Sequence, residues 1–179
     1  MRLVTYRQGD SAAESVGVVE EETVYGFRPG LGMVELLSRG NEVLLAEAER
    51  ARSSPSEVLS LNEVVLRAPV PVPPSIRDFL AFEQHIRNAR GDVDPDWYEL
   101  PVFYFSNPAA VHGPFDDVAV SPGSEMFDFE LEVAAVIGTE GGDLTPSDAE
   151  LHIAGYTVLC DFSARDLQQR EMRQHLGPA

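Results

Sequence analysis

The chain has 179 residues, 44% apolar and 24% charged, which is a globular composition with enough material for one core or for a core plus a small partner. Thirty acidic side chains oppose 13 basic ones, so the net charge is 13 − 30 = −17, and such a surface repels nucleic-acid phosphates. Every basic residue among the 13 is arginine, so no lysine here can act as base, Schiff-base amine or oxyanion clamp. Cys160 is the single cysteine, which excludes an intrachain disulfide and fits a reducing compartment. Met1–Arg7 lacks the apolar stretch of a signal peptide, and no apolar run reaches membrane-spanning length. A soluble, cytoplasmic protein without nucleic-acid or membrane partners is the expectation.

In chain order, residues 1–30 read as a β-meander. Leu3 to Arg7, Val16 to Val18 and Thr23 to Phe27 are the strands, turning at Glu20-Glu21-Glu22. Val34 to Ala51 has helical spacing, with a break allowed at Gly40-Asn41. Ser53–Ser56 is a loop and Val64–Leu66 a short strand. Ala68-Pro69-Val70-Pro71-Val72-Pro73-Pro74-Ser75 places four prolines in eight residues, so it is extended and stiff. We therefore expect a small β-rich N-terminal domain over 1–67, a linker over 68–75 and a second domain over 76–179. In the latter, Ile76–Arg90 carries a broad apolar stripe and reads as a helix. Val102–Phe105 and Val118–Val120 read as short strands. Phe127–Ile137 is the clearest strand. Thr145 and Pro146 open a short helix as N-cap and first helical residue. Tyr156–Cys160 reads as a buried strand and Ser163–His175 as a polar helix.

Three segments carry chemistry. In Phe127-Asp128-Phe129-Glu130-Leu131-Glu132-Val133 a period of two sets Asp128, Glu130 and Glu132 on one face and the apolar side chains on the other. Clustered carboxylates repel unless a cation neutralises them, and hard divalent ions prefer oxygen ligands; a solvated face with nothing bound is the alternative. The strand then turns into Ala134-Ala135-Val136-Ile137, which predicts burial on both sides. In the second segment, Asp161 follows an apolar strand and could complete the acidic set or cap a helix. Arg165 and Gln168, three apart, share a helical face suited to an anionic substrate or to solvent. In the third, His85 lies seven residues after Asp78, two turns of the predicted helix, and a histidine near neutral pKa suits water activation. A surface histidine is the alternative there.

Together these segments resemble the fumarylacetoacetate hydrolase family. The resemblance rests on Arg77-Asp78-Phe79 with His85, Leu100-Pro101-Val102-Phe103-Tyr104, Asp128 to Glu132 running into Val136-Ile137-Gly138, and Gly155-Tyr156-Thr157 through Asp161-Phe162-Ser163-Ala164-Arg165-Asp166. It covers roughly residues 70–179. It implies an α+β, β-rich fold, a roll of mixed sheets, preceded by the small N-terminal domain and usually dimeric. It implies Glu130, Glu132, Asp161 and Asp78 as metal carboxylates, with Mg²⁺ first and Ca²⁺ or Mn²⁺ next. His85 matches the water-activating base; Tyr104, Arg165 and Gln168 match groups that hold the substrate. The implied reaction is hydrolysis of a carbon–carbon bond in a 1,3-dicarbonyl or 2-oxo acid, with hydratase, decarboxylase, isomerase or non-catalytic cation-binding relatives as alternatives. The family's lysine and the carboxylate partner of its histidine lie beyond the matched region. The expectation is the N-terminal part of a longer member, its second domain cut short at the C-terminus.

Overall fold

The computed structural model describes residues 1–174 and shows a mixed α/β molecule. Strands β1 (Arg2–Gln8), β2 (Ser15–Glu20), β3 (Thr23–Gly26), β4 (Val58–Ser60) and β5 (Val64–Leu66) form one antiparallel sheet in the order β4-β3-β2-β1-β5. The predicted meander is its middle. Helices α1 (Met33–Ser38) and α2 (Asn41–Ser53) divide at Gly40, whose φ of +90° suits glycine. They close over one face, where Val16, Val18 and Phe27 meet Met33, Leu36, Leu44, Ala48 and Ala51. The other face buries Tyr6, Val19 and Val24 beneath Leu59, Leu61, Val64 and Leu66. A buried Glu47 accepts hydrogen bonds from Arg28 and Arg50, so its charge is paired. The proline-rich stretch is irregular and leaves along β1: Thr5 Oγ1 donates to the Pro69 carbonyl at 2.7 Å, and Ala68 is buried.

Beyond the prolines, β6 (Ile76–Phe79) pairs antiparallel with β7 (Phe103–Ser106), and α3 (Glu83–Arg90) lies between them in sequence. The predicted helix over Ile76–Arg90 is therefore corrected: its first four residues are a strand and the helix begins at Glu83. The apolar stripe fits either period over so short a run, and pairing with β7 decides it. Val118–Val120 is also not a strand; among the described residues nothing pairs with it.

Strands β8 (Phe127–Ile137) and β9 (Ile153–Ala164) make a long antiparallel ribbon, with Phe127 opposite Ala164 and Glu130 opposite Asp161. The β8 bounds match the sequence expectation. Between them α4 (Pro146–Ala149) starts as predicted, with Thr145 Oγ1 accepting from the Asp148 amide at 3.3 Å. Helix α5 (Arg165–Met172) follows β9 directly. It starts two residues later than predicted, because Ser163 and Ala164 extend the strand, and the predicted His175 end lies outside the described residues. All pairings among the described residues are antiparallel, so the parallel pairing that a mixed sheet requires does not occur among them.

The ribbon inverts the usual arrangement. Its carboxylate face turns inward, while Leu131, Val133, Tyr156 and Val158 are 72%, 76%, 65% and 69% exposed. Ile137 is exposed too. The predicted two-sided burial of Ala134–Ile137 and the buried Tyr156–Cys160 strand are corrected accordingly, since among the described residues only one face of the two strands is covered.

Candidate metal centre

The strand alternation that sets Asp128, Glu130 and Glu132 on one face of β8 also sets Asp161 and Ser163 of β9 on that face, because Glu130 pairs with Asp161 and Asp128 with Ser163. On β6, Ile76 and Asp78 turn inward while Arg77 and Phe79 turn out. The inward face of β6 meets the inward face of the ribbon. Carboxylate oxygens of Asp78, Glu132 and Asp161 come within 4.8 Å of one another there, all three side chains partly buried.

Glu130 is placed differently. Its Oε1 accepts from Arg165 Nη1 at 2.6 Å, and Asp128 Oδ2 accepts from Arg165 Nε at 2.9 Å. Arg165 begins α5 where β9 ends, so its guanidinium lies back across the β8 carboxylates. Nη1 also donates to Gln168 Oε1 at 3.2 Å, one helical turn on. The start of α5 is pinned by Asp166, whose carboxylate accepts from Ser124 Oγ at 2.6 Å and from the Glu125 amide at 2.9 Å.

Tyr104 on β7 stands opposite Asp78 in the strand register. Its hydroxyl lies 2.9 Å from Asp78 Oδ2 and 2.5 Å from Asp161 Oδ2. Phe103 and Phe105 point to the other face, where Arg77 lies 5.8 and 5.1 Å from their ring centroids.

The electrostatics follow from crowding. Burial, then the charge of Asp78 and its hydrogen bond, with Asp161 and Glu130 adding to it, push the Glu132 carboxyl up to about 8. Burial raises Asp161 also, against the hydrogen bond from Tyr104. Burial and the two flanking carboxylates raise the Tyr104 phenol, which stays protonated and able to donate. By contrast, the hydrogen bond from Arg165 holds Asp128 below the usual carboxylate range.

The structure thus brings together Asp78, Glu132, Asp161 and Tyr104, and separately Glu130, Arg165 and Gln168. His85 is exposed in the first turn of α3. The helical spacing that joined it to Asp78 does not hold, because Asp78 is on a strand. Among the described residues no hydrogen bond or ion pair links its imidazole to the carboxylates. The contact of Tyr104 with two carboxylates is new relative to the sequence reading. Its signal was the alternation Phe103-Tyr104-Phe105, which turns one hydroxyl away from two phenyl rings.

The donor chemistry fits a divalent ion. Three half-buried carboxylates offer only oxygen, and burial together with their mutual repulsion pushes one of them, Glu132, up to about 8, a cost that a bound cation would relieve.

Comparison with known proteins gives the family and the fold. The sequence model described as fumarylacetoacetate (FAA) hydrolase C-terminal matches residues 75–179. A mitochondrial oxaloacetate tautomerase of Homo sapiens is 33% identical over 181 residues, covering 95% of this chain and 55% of its own length. An oxaloacetate tautomerase of Bacillus subtilis is 29% identical over 168 residues, covering 88% and 54%. The chain spans about half the length of the curated relatives it matches. Among solved structures, a fumarylacetoacetate hydrolase of Exiguobacterium antarcticum superposes with a TM-score of 0.69 at 25% identity, covering 96% of this chain and 60% of that one. A maleylpyruvate hydrolase from Sphingobium sp. SYK-6, in complex with manganese(II) ion and pyruvate, shares the fold with a TM-score of 0.69 at 24% identity, covering 92% and 60%. These relatives are named as enzymes, and the tautomerases and the maleylpyruvate hydrolase are named for oxaloacetate and maleylpyruvate, both small 2-oxo acids. With 105 of its 179 residues under the family's sequence model, this chain belongs to the fumarylacetoacetate hydrolase family.

Proposed function

We propose that this chain holds a divalent cation between Asp78, Glu132 and Asp161 and uses it to act on a small 2-oxo acid. The observation that carries the reading is the convergence of three carboxylates from β6, β8 and β9 on one half-buried point. Mg²⁺ is the first choice, with Mn²⁺ or Ca²⁺ compatible with the same oxygen set. A bound ion supplies Lewis-acid polarisation of the substrate oxygens.

The chain's own groups do the rest. Arg165 and Gln168, next to the cluster, bind a substrate carboxylate through N–H donors, Arg165 exchanging part of its hold on Asp128 and Glu130. Glu130, held by Arg165 Nη1, would offer a further carboxylate to the ion once that contact is exchanged. His85 takes and returns the proton at an imidazole nitrogen, entering the site from its exposed helix. Isomerisation of a 2-oxo diacid between keto and enol forms is the preferred reaction, because curated relatives about 30% identical carry that activity in their names. Hydrolysis of a carbon–carbon bond in an acylpyruvate or fumarylacetoacetate-like acid is the second reading, supported by a hydrolase structure at 25% identity. The family resemblance further supports a homodimeric roll with residues 1–67 as a separate small domain. The single cysteine is compatible with the cytoplasm.

The test is turnover of enol-oxaloacetate and of an acylpyruvate panel by the purified protein with Mg²⁺. Loss of the enol absorbance of oxaloacetate without release of pyruvate, above a control with Mg²⁺ alone, supports isomerisation; release of pyruvate together with one equivalent of carboxylic acid from an acylpyruvate supports hydrolysis. His85→Ala should cut either rate by roughly 10²–10⁴. No turnover of any 2-oxo acid, or full activity in His85→Ala, would overturn the corresponding part.

A further inference from the structure

We propose that Tyr104 is a positioning residue of the cation site: its hydroxyl ties Asp78 to Asp161 and so sets the spacing at which the carboxylates receive an ion. The inference rests on the cation reading above and gives Tyr104 a role other than the substrate contact expected from resemblance.

Asp78 and Asp161 belong to separate sheets. Asp78 is on the β6–β7 pair and Asp161 on the β8–β9 ribbon. Two carboxylates brought together from independent elements repel, and neither sheet's own ladder fixes the distance between them. Beside the Asp78–Glu132 contact, the hydrogen bond from Tyr104 to Asp161 joins the pair to the ribbon at this point. The same oxygen lies 2.9 Å from Asp78, so one atom contacts both charges.

The ring is well placed to do this. Tyr104 stands directly opposite Asp78 across the β6–β7 ladder, so their side chains leave the same face side by side. Its neighbours Phe103 and Phe105 are held on the other face by ring contacts at 5.4 Å and by the Arg77 guanidinium. That fixes which way the phenol points. The phenol engages Oδ2 of each aspartate, leaving the second oxygen of each for an ion. Groups that hydrogen-bond metal carboxylates in this way orient them, and their loss typically costs about 10–100-fold in metal affinity.

Manganese(II) alone is the probe. The wild-type chain, Tyr104→Phe and Glu132→Gln are titrated by calorimetry and by electron paramagnetic resonance. Glu132→Gln should lose binding. Tyr104→Phe keeps the ring and should bind Mn²⁺ about 10–100-fold more weakly, with a spectrum changed in width from that of the wild type. A purely structural role for the ring would leave that spectrum unchanged. Wild-type affinity and spectrum in Tyr104→Phe, with binding lost in Glu132→Gln, would overturn the positioning role and leave the cation site standing. No binding by the wild type would overturn the cation reading and this inference with it. Should Tyr104→Phe fail to fold, the wild type labelled with 3-fluorotyrosine decides. Of its five tyrosines, Tyr104 should lose its fluorine signal first as Mn²⁺ is added below one equivalent, and equal broadening of all five would overturn the proposal.

Discussion

Strands β1–β5 and the β8–β9 ribbon are drawn from similar β-branched and aromatic residues but spend them differently. In the N-terminal sheet, both faces are covered: helices α1 and α2 close one side and Leu59, Leu61 and Leu66 the other, leaving Leu36, Val18 and Val24 fully buried. In the ribbon, the covered face is the acidic one, and Phe129, Leu131, Val133 and Val158 face outward. Burial of apolar area stabilises the first region. The second holds its inward face together with polar contacts: Arg165 on Asp128 and Glu130, and Tyr104 on Asp78 and Asp161. Hydrophobic patterning alone therefore predicts folding well in one region and inverts inside and outside in the other, where carboxylates are gathered at a cost in stability.

The contrast can be broken most forcefully in the N-terminal core. Leu36→Ala removes a fully buried side chain and should cost about 2–5 kcal/mol, measured by urea unfolding, with Mn²⁺ affinity unchanged. A parallel loss of cation binding would show that the two regions are not separable.

A smaller effect is expected from pH. The folded value of Glu132, about 8, lies above its ordinary 4.5. Its protonated form therefore stabilises the fold fully below pH 4.5, and that contribution is lost as pH rises through about 8. Without divalent ions the melting temperature should fall across this window. Added Mg²⁺ should restore stability progressively more at the high end, because the ion competes with the proton. A pH-independent ion effect would contradict the crowded-carboxylate account.

The smallest effect belongs to the outward face. Leu131→Ser should change unfolding stability by no more than about 0.5 kcal/mol in the monomer, as for other exposed sites. A loss of several kcal/mol would mean that this face is covered in solution.

Much of this was legible in the residues. The alternation in Phe127–Ile137 gave the strand and the shared face of its carboxylates, and Thr145-Pro146 gave the start of α4. Gly40 marked the division between α1 and α2. What sequence reasoning missed depends on partners distant in the chain. Ile76–Phe79 is a strand because β7, some 25 residues on, pairs with it. Glu130 is held by Arg165 because α5 turns back over β8, a contact across 35 residues that spacing cannot show. The outward apolar face was unreadable for the same reason: alternation says which residues share a face, not which face is covered.

Crystals grown with Mn²⁺ and measured at the manganese absorption edge test the central claim most directly. The account predicts one anomalous peak at roughly 2.0–2.6 Å from carboxylate oxygens of Asp78, Glu132 and Asp161. A peak elsewhere in the molecule, or none with these three carboxylates still gathered as described, would contradict it.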